Sequence, residues 1–239
     1  MHKVLDFIKK NKQFSFFILL VILLALITIF APVIAPQDPY VSDLKNALQP
    51  PSSAHWFGTD KLGRDIFSRV IYASRSSLPA TLILVALIFV IGTLLGTLAG
   101  YFGGWIDAVI MRISDMMISF PGMVLAIAVA GIMGASVKNA VIAVAVVSWP
   151  KYARLARSLV MKIRHEDYIY AAIVTGSKTS YILRKYMLPN IIPTLIITAA
   201  TDIGGMMLEL AGLSFLGFGA KAPAAEWGLM LNEGRTYMQ

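Results

Sequence analysis

The sequence predicts an all-α, polytopic helical membrane protein, and three observations carry that reading. Of 239 residues, 57% are hydrophobic and only 14% are charged, where a soluble domain carries about 25% charged residues. Uncharged apolar runs recur along the chain, several near the roughly 20 residues needed to cross a bilayer. The net charge of +8 would suggest nucleic acid in a polar protein, but in an apolar one it marks the cytoplasmic ends of membrane spans. The absence of cysteine excludes disulfides, Cys-ligated zinc and iron–sulfur clusters.

Five spans are expected. The first, 14–35, is almost wholly Leu, Ile, Phe and Val. A signal peptide is the rival reading, because Lys9, Lys10 and Lys12 precede it. The apolar run exceeds the roughly 7–15 residues of that class, and Pro36 follows the possible Ala35 cleavage point, so an uncleaved span is favoured. The second is 78–101, where Gly92, Gly96 and Gly100 leave one helical face without side chains for another helix to approach. The third is 116–137, with Phe120-Pro121-Gly122 as a suitable helix start. The fourth, 137–160, continues past Pro150 as a basic helix whose Lys151, Arg154 and Arg157 stems snorkel to the interface. The fifth is 190–213 and carries Asp202 and Glu209.

Counting Lys and Arg sets the orientation. With the basic segment 1–13 in the cytoplasm, the inside segments hold 13 and the outside segments 8. The loop 165–190 therefore faces the cytoplasm and the C-terminus lies outside, with no closing apolar run before Tyr237-Met238-Gln239.

Within that loop, 167–175 reads as a short helix that Gly176 stops in a left-handed conformation. Ser177 or Thr179 would cap a second helix to about Leu188, and Pro189 would open the fifth span. Ala171 and Ala172 would give this knob a shaved surface for a partner. Spacing alone leaves two readings open, a docking knob and an ordinary interfacial helix pair.

Asp202, Met206 and Glu209 share a face of the fifth helix, and Thr198 extends it by a turn. A carboxylate within hydrocarbon costs about 2.5–3.5 kcal/mol, so it must face a cavity or a partner. Asp202 is read as lining a polar pathway that attracts a cation or cationic chelate, the alternative being a structural carboxylate bonded to a neighbouring helix. For Glu209 anchoring stands level with the pathway. Met206 and Met207 suit packing better than ligation. His2, His55 and His165 are far apart in sequence, so no metal site is fixed, and a metal cargo would arrive chelated or on an external binding protein. The outer loop 55–65 holds His55, Asp60, Arg64 and Asp65. It could line the outer mouth or meet a solute-binding protein. A self-capped loop is favoured for most of its residues, with Arg64 and Asp65 as a local ion pair.

Ala171-Ala172, Gly176 and Leu188-Pro189 together resemble the EAA loop of ABC-importer permeases, which docks in a cleft of the ATP-binding subunit. Tyr170 stands where glutamate is usual, and Tyr186 where histidine is common. Three further stretches, HWFGTDKLGRD at 55–65, GYFGGWID at 100–107 and LSFLGFG at 213–219, resemble the "C" permease of peptide and nickel importers. TDIGGMML at 201–208 and APAAEWG at 222–228 resemble the nickel branch, so a nickel or metal-chelate cargo is expected, with di- or oligopeptides as the alternative.

The resemblance implies a six-span fold, of which the sixth would be missing here, in the inner membrane of a bacterium. It implies a heterodimer with a second permease, two ATP-binding subunits that hold ATP and Mg, and an extracytoplasmic solute-binding protein. It also implies ATPase coupling through Tyr170, Ala171, Ala172, Gly176, Ser177, Lys178 and Pro189. Closure of the ATPases would tilt the spans, with the Gly92/Gly96/Gly100 face as a sliding surface.

No Gly-x-x-x-x-Gly-Lys-Ser/Thr loop occurs, so the chain has no phosphate loop of its own for ATP. A membrane enzyme is the second class, but His-Glu-x-x-His and Gly-x-Ser-x-Gly are absent. A simple channel is the third, and it would leave the glycine-broken loop unexplained.

Overall fold

Nine α-helices, with no named strand among them, organise the described residues, which in this computed structural model are 11–237. The basic N-terminal segment up to residue 10, with His2, lies outside them, as do Met238 and Gln239. The residues divide into two units, one from the N-terminal part to Pro79 with the segment from Ala222 on, the other Ala80–Lys221.

In the first unit, α1 (Lys12–Ile34) is apolar on every side and buries only Ala31, as expected of a helix solvated by lipid. An irregular segment follows with a 3-10 turn at Leu44–Asn46. Gly63 there takes φ +75, and a Cβ would collide with the Asp43 carbonyl, so only glycine fits. α2 (Ile66–Phe102) starts in this unit, and α9 (Trp227–Gly234) belongs to it. Glu226 caps α9, accepting from Gly228 N at 3.0 Å and Leu229 N at 2.8 Å.

In the second unit, α5 (Val137–Ile163) is central, with α3 (Gly104–Ile118), α4 (Gly122–Met133) and α8 (Leu188–Phe215) packed on it. Ala140, Ala143, Val144, Tyr152, Ala156 and Val160 of α5 are buried in the core with Leu84, Ile88, Leu195 and Leu213. Ser136 fixes the start of α5 where the sequence places it, accepting from Asn139 N at 3.0 Å. Gly92, Gly96 and Gly100 of α2 meet the same helix. A Cβ at Gly92 would clash with Tyr152, at Gly96 with the Ala153 carbonyl, and at Gly100 it would lie 2.9 Å from Arg157 O. The expected close approach is formed, as backbone-to-backbone packing.

The spans differ from expectation in two places and in number. The second helix is 37 residues long and begins at Ile66 rather than 78, because Asp65 caps it there: its carboxylate accepts from Ser68 N at 2.8 Å. The expected continuous span 116–137 is instead the end of α3 and the whole of α4, two helices bent by 93°, and α3 reaches back to Gly104 through a segment read as an inside loop. Pro121 cannot donate backward and is the N-cap of α4. At 1.5 Å per residue the 12 residues of α4 reach about 18 Å, short of a bilayer core of about 30 Å. Three helices are individually long and apolar enough to cross, Lys12–Ile34, Ile66–Phe102 and Thr179–Phe215, and the bent pair raises this to four. α5 is long enough at 27 residues but carries the basic residues Lys151, Arg154 and Arg157.

Candidate functional site

The loop 165–190 forms α6 (Asp167–Val174), a turn at Gly176 and α7 (Thr179–Ile182). Gly176 has φ +79. Ser177 N–H donates to Ala172 O and Gly176 N–H to Ile173 O, each at 3.0 Å, which is the Schellman ending that a left-handed glycine permits. The Thr175 hydroxyl donates to Ala171 O at 2.9 Å and Ala172 O at 3.0 Å, sealing the same end. Nothing lies within 4 Å of the position a Gly176 Cβ would take, so the glycine is required by backbone conformation alone.

Three expectations for this loop change. Lys178, not Ser177 or Thr179, is the residue preceding α7, and no side chain caps it. The second helix does not stop at Leu188. It runs through a π-helical stretch, Leu183–Met187, directly into α8. Leu188 N–H donates five residues back to Leu183 O, so the ladder widens just before Pro189, which has no N–H to donate. Ala172 is buried in the core with Ile169, while Ala171 is exposed. The exposed face of α6 is therefore made by Tyr170, Ala171, Ile173 and Val174, with Tyr170 49% and Val174 86% exposed. The Tyr170 hydroxyl lies 2.9 Å from His165 Nδ1. Burial, with the Glu166 charge adding to it, pushes the Tyr168 phenol up, so it stays neutral at physiological pH.

The stripe on α8 turns toward α5. Lys151 Nζ donates to both Asp202 oxygens at 2.6 and 2.7 Å, and the buried Tyr152 hydroxyl donates to Oδ2 at 2.9 Å. Asp202 is thus tied to the neighbouring helix. Thr198 spends its hydroxyl on Thr194 O at 3.1 Å. Met206 is buried in the core, so it does not share an open surface with the others. Glu209 borders a cavity of about 250 Å³ with Phe120, Val144 and Ser148. Two further pairs join α5 to α3, Arg154 with Asp115 at 2.5 Å and Arg157 with Asp107 at 2.5 Å. The 3-residue spacing of Lys151, Arg154 and Arg157 on α5 is visible in the sequence, but their partners lie 39 to 51 residues away and no local signal names them.

The outer-loop residues are gathered in the first unit. Arg64 Nε donates to Asp60 Oδ2 at 2.7 Å, and its Nη2 donates to Glu233 Oε2 at 2.9 Å. Arg69 Nη2 meets the same Glu233 oxygen at 3.1 Å. Both arginines are 1% exposed. The expected Arg64–Asp65 pair is not formed. Asp65 faces the start of α2, accepting from the Ser68 amide and from its hydroxyl at 2.7 Å, and lies 3.0 Å from His55 Nδ1. Glu233 and Arg69 were not expected here, since Glu233 is separated from Arg64 by 169 residues. Among the described residues, no group of three or more His, Cys, Asp or Glu could hold a metal.

Two protein families match the chain. One is described as a binding-protein-dependent transport system inner membrane component and matches 92–238. The other, the N-terminal TM domain of oligopeptide transport permease C, matches 2–51. A dipeptide transport system permease protein of Alkalihalophilus pseudofirmus is 44% identical over 97% of this chain and 76% of its own length. A probable D,D-dipeptide transport system permease protein of Escherichia coli K12 is 46% identical over 92% and 74%. The nickel transport system permease protein of the same strain is 40% identical over 92% and 80%. Among solved structures, an inward-facing MetNI methionine ABC transporter chain superposes with a TM-score of 0.56 at 19% identity, covering 71% of this chain and 81% of that one, a likeness of fold.

Proposed function

The chain belongs to the family of binding-protein-dependent transport system inner membrane components, and we propose that it forms half of an importer's translocation pathway and couples to the ATPases through the loop 165–190. It is a multi-pass inner-membrane permease subunit of an ABC importer, and ATP hydrolysis belongs to partner subunits. Such permeases work with a second permease, ATPase subunits and a binding protein. For this chain we infer a heterodimer with a second permease, two ATP-binding subunits carrying ATP and Mg, and a cytoplasmic N-terminus.

The observation that carries the coupling assignment is the α6 surface. Tyr170, Ala171, Ile173 and Val174 leave an apolar face uncovered on a helix whose buried side, Ile169 and Ala172, is anchored in the core. A rigid helix with an uncovered apolar face can transmit a push into α8, which continues from the same loop. Ser177, Lys178 and Pro189 carry the chain from that surface into the span. Gly176→Val tests this. Valine at φ +79 pays about 1–2 kcal/mol and would reorient α6 without a clash elsewhere. The mutant is expected to insert normally and to lose the ATPases in pull-down. Wild-type ATPase yield would overturn the coupling assignment.

For cargo we propose a small peptide. The support is that permeases named for dipeptides are 44%, 46% and 40% identical, against 40% for the nickel-named one, together with Asp202, whose carboxylate is already matched by Lys151. The second reading, nickel or its chelate, rests on the stretches 201–208 and 222–228 and on the nickel relative's similarity. Vesicles carrying the full importer and its binding protein decide between them. Dipeptide uptake unaffected by nickel supports the first, and nickel uptake unaffected by peptides replaces it.

A further inference from the structure

Beside α6 the loop holds a second surface of different chemistry. An open groove of about 800 Å³ is lined by Ser180, Tyr181, Arg184, Lys185 and Tyr186, and at its edge by Ser177 and Lys178 of the coupling set. Among the described residues, Lys178, Arg184 and Lys185 make no ion pair and no side-chain hydrogen bond. Three basic residues in the middle of α5, by contrast, are matched, Lys151 by Asp202, Arg154 by Asp115 and Arg157 by Asp107. Three unmatched cations and two serine hydroxyls around one groove offer donors to an oxyanion, with guanidinium and ammonium groups of the kind that phosphate takes.

The height of the groove selects the source of that oxyanion. Lys185 lies three residues before Leu188, where α8 begins. Ile196 and Ile197, 53% and 67% exposed, come eleven and twelve residues after Lys185. At 1.5 Å per residue that is about 16 Å, close to half of a bilayer core of about 30 Å. A headgroup at Lys185 would therefore place its acyl chains along the exposed isoleucines. Tyr181, 49% exposed, and the half-buried Tyr186 line the same groove, and aromatic side chains of this kind favour a membrane interface. The π-helical stretch at Leu183–Met187 puts Arg184 and Lys185 on a locally widened turn, a feature that recurs at binding sites.

We propose that this groove binds the phosphate headgroup of an anionic phospholipid of the cytoplasmic leaflet, holding the loop at the membrane surface next to the coupling helix. The proposal goes beyond the coupling role and rests on the cytoplasmic placement of this loop. Basic pockets on that side of a membrane protein attract anionic lipid, with roughly a fivefold gain in affinity for each cation at the surface.

The test uses the assembled importer, permeases and ATPases together, in nanodiscs of phosphatidylcholine alone or of phosphatidylcholine mixed with phosphatidylglycerol. Native mass spectrometry counts the phosphatidylglycerol retained on release, and thermal melting reports its effect. The wild type is expected to retain phosphatidylglycerol and melt later in the mixed bilayer. Arg184→Gln/Lys185→Gln is expected to lower that retention roughly 25-fold, while the charge-keeping pair Arg184→Lys/Lys185→Arg keeps it. If the double variant assembles poorly, the single variants Arg184→Gln and Lys185→Gln are each expected to lose about fivefold. Undiminished retention in all neutralised variants overturns the proposal. So does equal stabilisation by inorganic phosphate in pure phosphatidylcholine, which would make the groove a free-anion site. Loss of the ATPases from the neutralised variants in pure phosphatidylcholine also overturns it, by assigning the cations to the subunit contact. Since Gly176→Val reads ATPase binding and these variants read lipid retention, each assignment can fail alone.

Discussion

Asp202 shows how a membrane carboxylate becomes affordable. Lys151 supplies the countercharge and Tyr152 a buried hydroxyl donor. Lys151 is 56% exposed, so that half of the arrangement is screened and weak, whereas the hydroxyl of the fully buried Tyr152 depends on Asp202 for a partner. Asp202→Asn keeps an acceptor there and is expected to leave assembly and melting temperature near wild type. Asp202→Leu strands the hydroxyl and is expected to cost roughly 1–3 kcal/mol, read as an earlier melt of the solubilised permease. Equal melting of the two variants would show that Tyr152 does not need the bond. If Asp202 also attracts a cationic cargo, Asp202→Asn lowers uptake at normal yield. At Tyr170 the departure from the usual glutamate costs little, because the side chain is exposed and its hydroxyl meets only His165. Tyr170→Glu is expected to retain ATPase stimulation, measured as hydrolysis by the reconstituted complex.

The glycine face of α2 is the feature on which element packing depends most. At Gly96 an added Cβ meets the Ala153 carbonyl, which is backbone, and the Ala156 Cβ at 2.8 Å. Neither neighbour can rotate away, so Gly96→Ala is expected to destabilise by roughly 1–3 kcal/mol through overpacking. Gly204 on α8 has nothing within 4 Å of its Cβ position. Gly204→Ala should be neutral or stabilising, by about 0.5–1 kcal/mol. Thermal melting of both variants checks the contrast. If Gly96→Ala melts with the wild type, α2 and α5 slide freely, as the resemblance to gating permeases suggests. The tight fit found here favours their moving as one body.

At the scale of the molecule, the proposed orientation rests on the placement of basic residues. The chain lacks cysteine, so a single introduced thiol reports its own side without background. Val174→Cys, at an 86% exposed position, is expected to react with a membrane-impermeant maleimide only after cells are permeabilised. Lys138→Cys, exposed just inside the start of α5, is expected to react in intact cells. The reverse pattern would invert the topology and move the loop 165–190 outside, removing it from any ATPase.

The local order of residues decides whatever depends on neighbours in sequence. Apolar length located α1 and α8, Ser136 located the start of α5, and Gly176 located the loop turn, because hydropathy, caps and left-handed glycines act within a few residues. The glycine repeat every four residues likewise announced a close helix contact, though not which helix would make it. The bend between α3 and α4 escaped this reading, since a proline marks both a helix start and a break between helices, and only packing against α5 selects one. The charge partners escaped it for another reason. Asp202 finds Lys151 and Arg64 finds Glu233 across 51 and 169 residues, where folding, not spacing, sets which opposite charges meet. Burial of Ala172 beside an exposed Ala171 was decided in the same way, by which side of a short helix the core had room to cover.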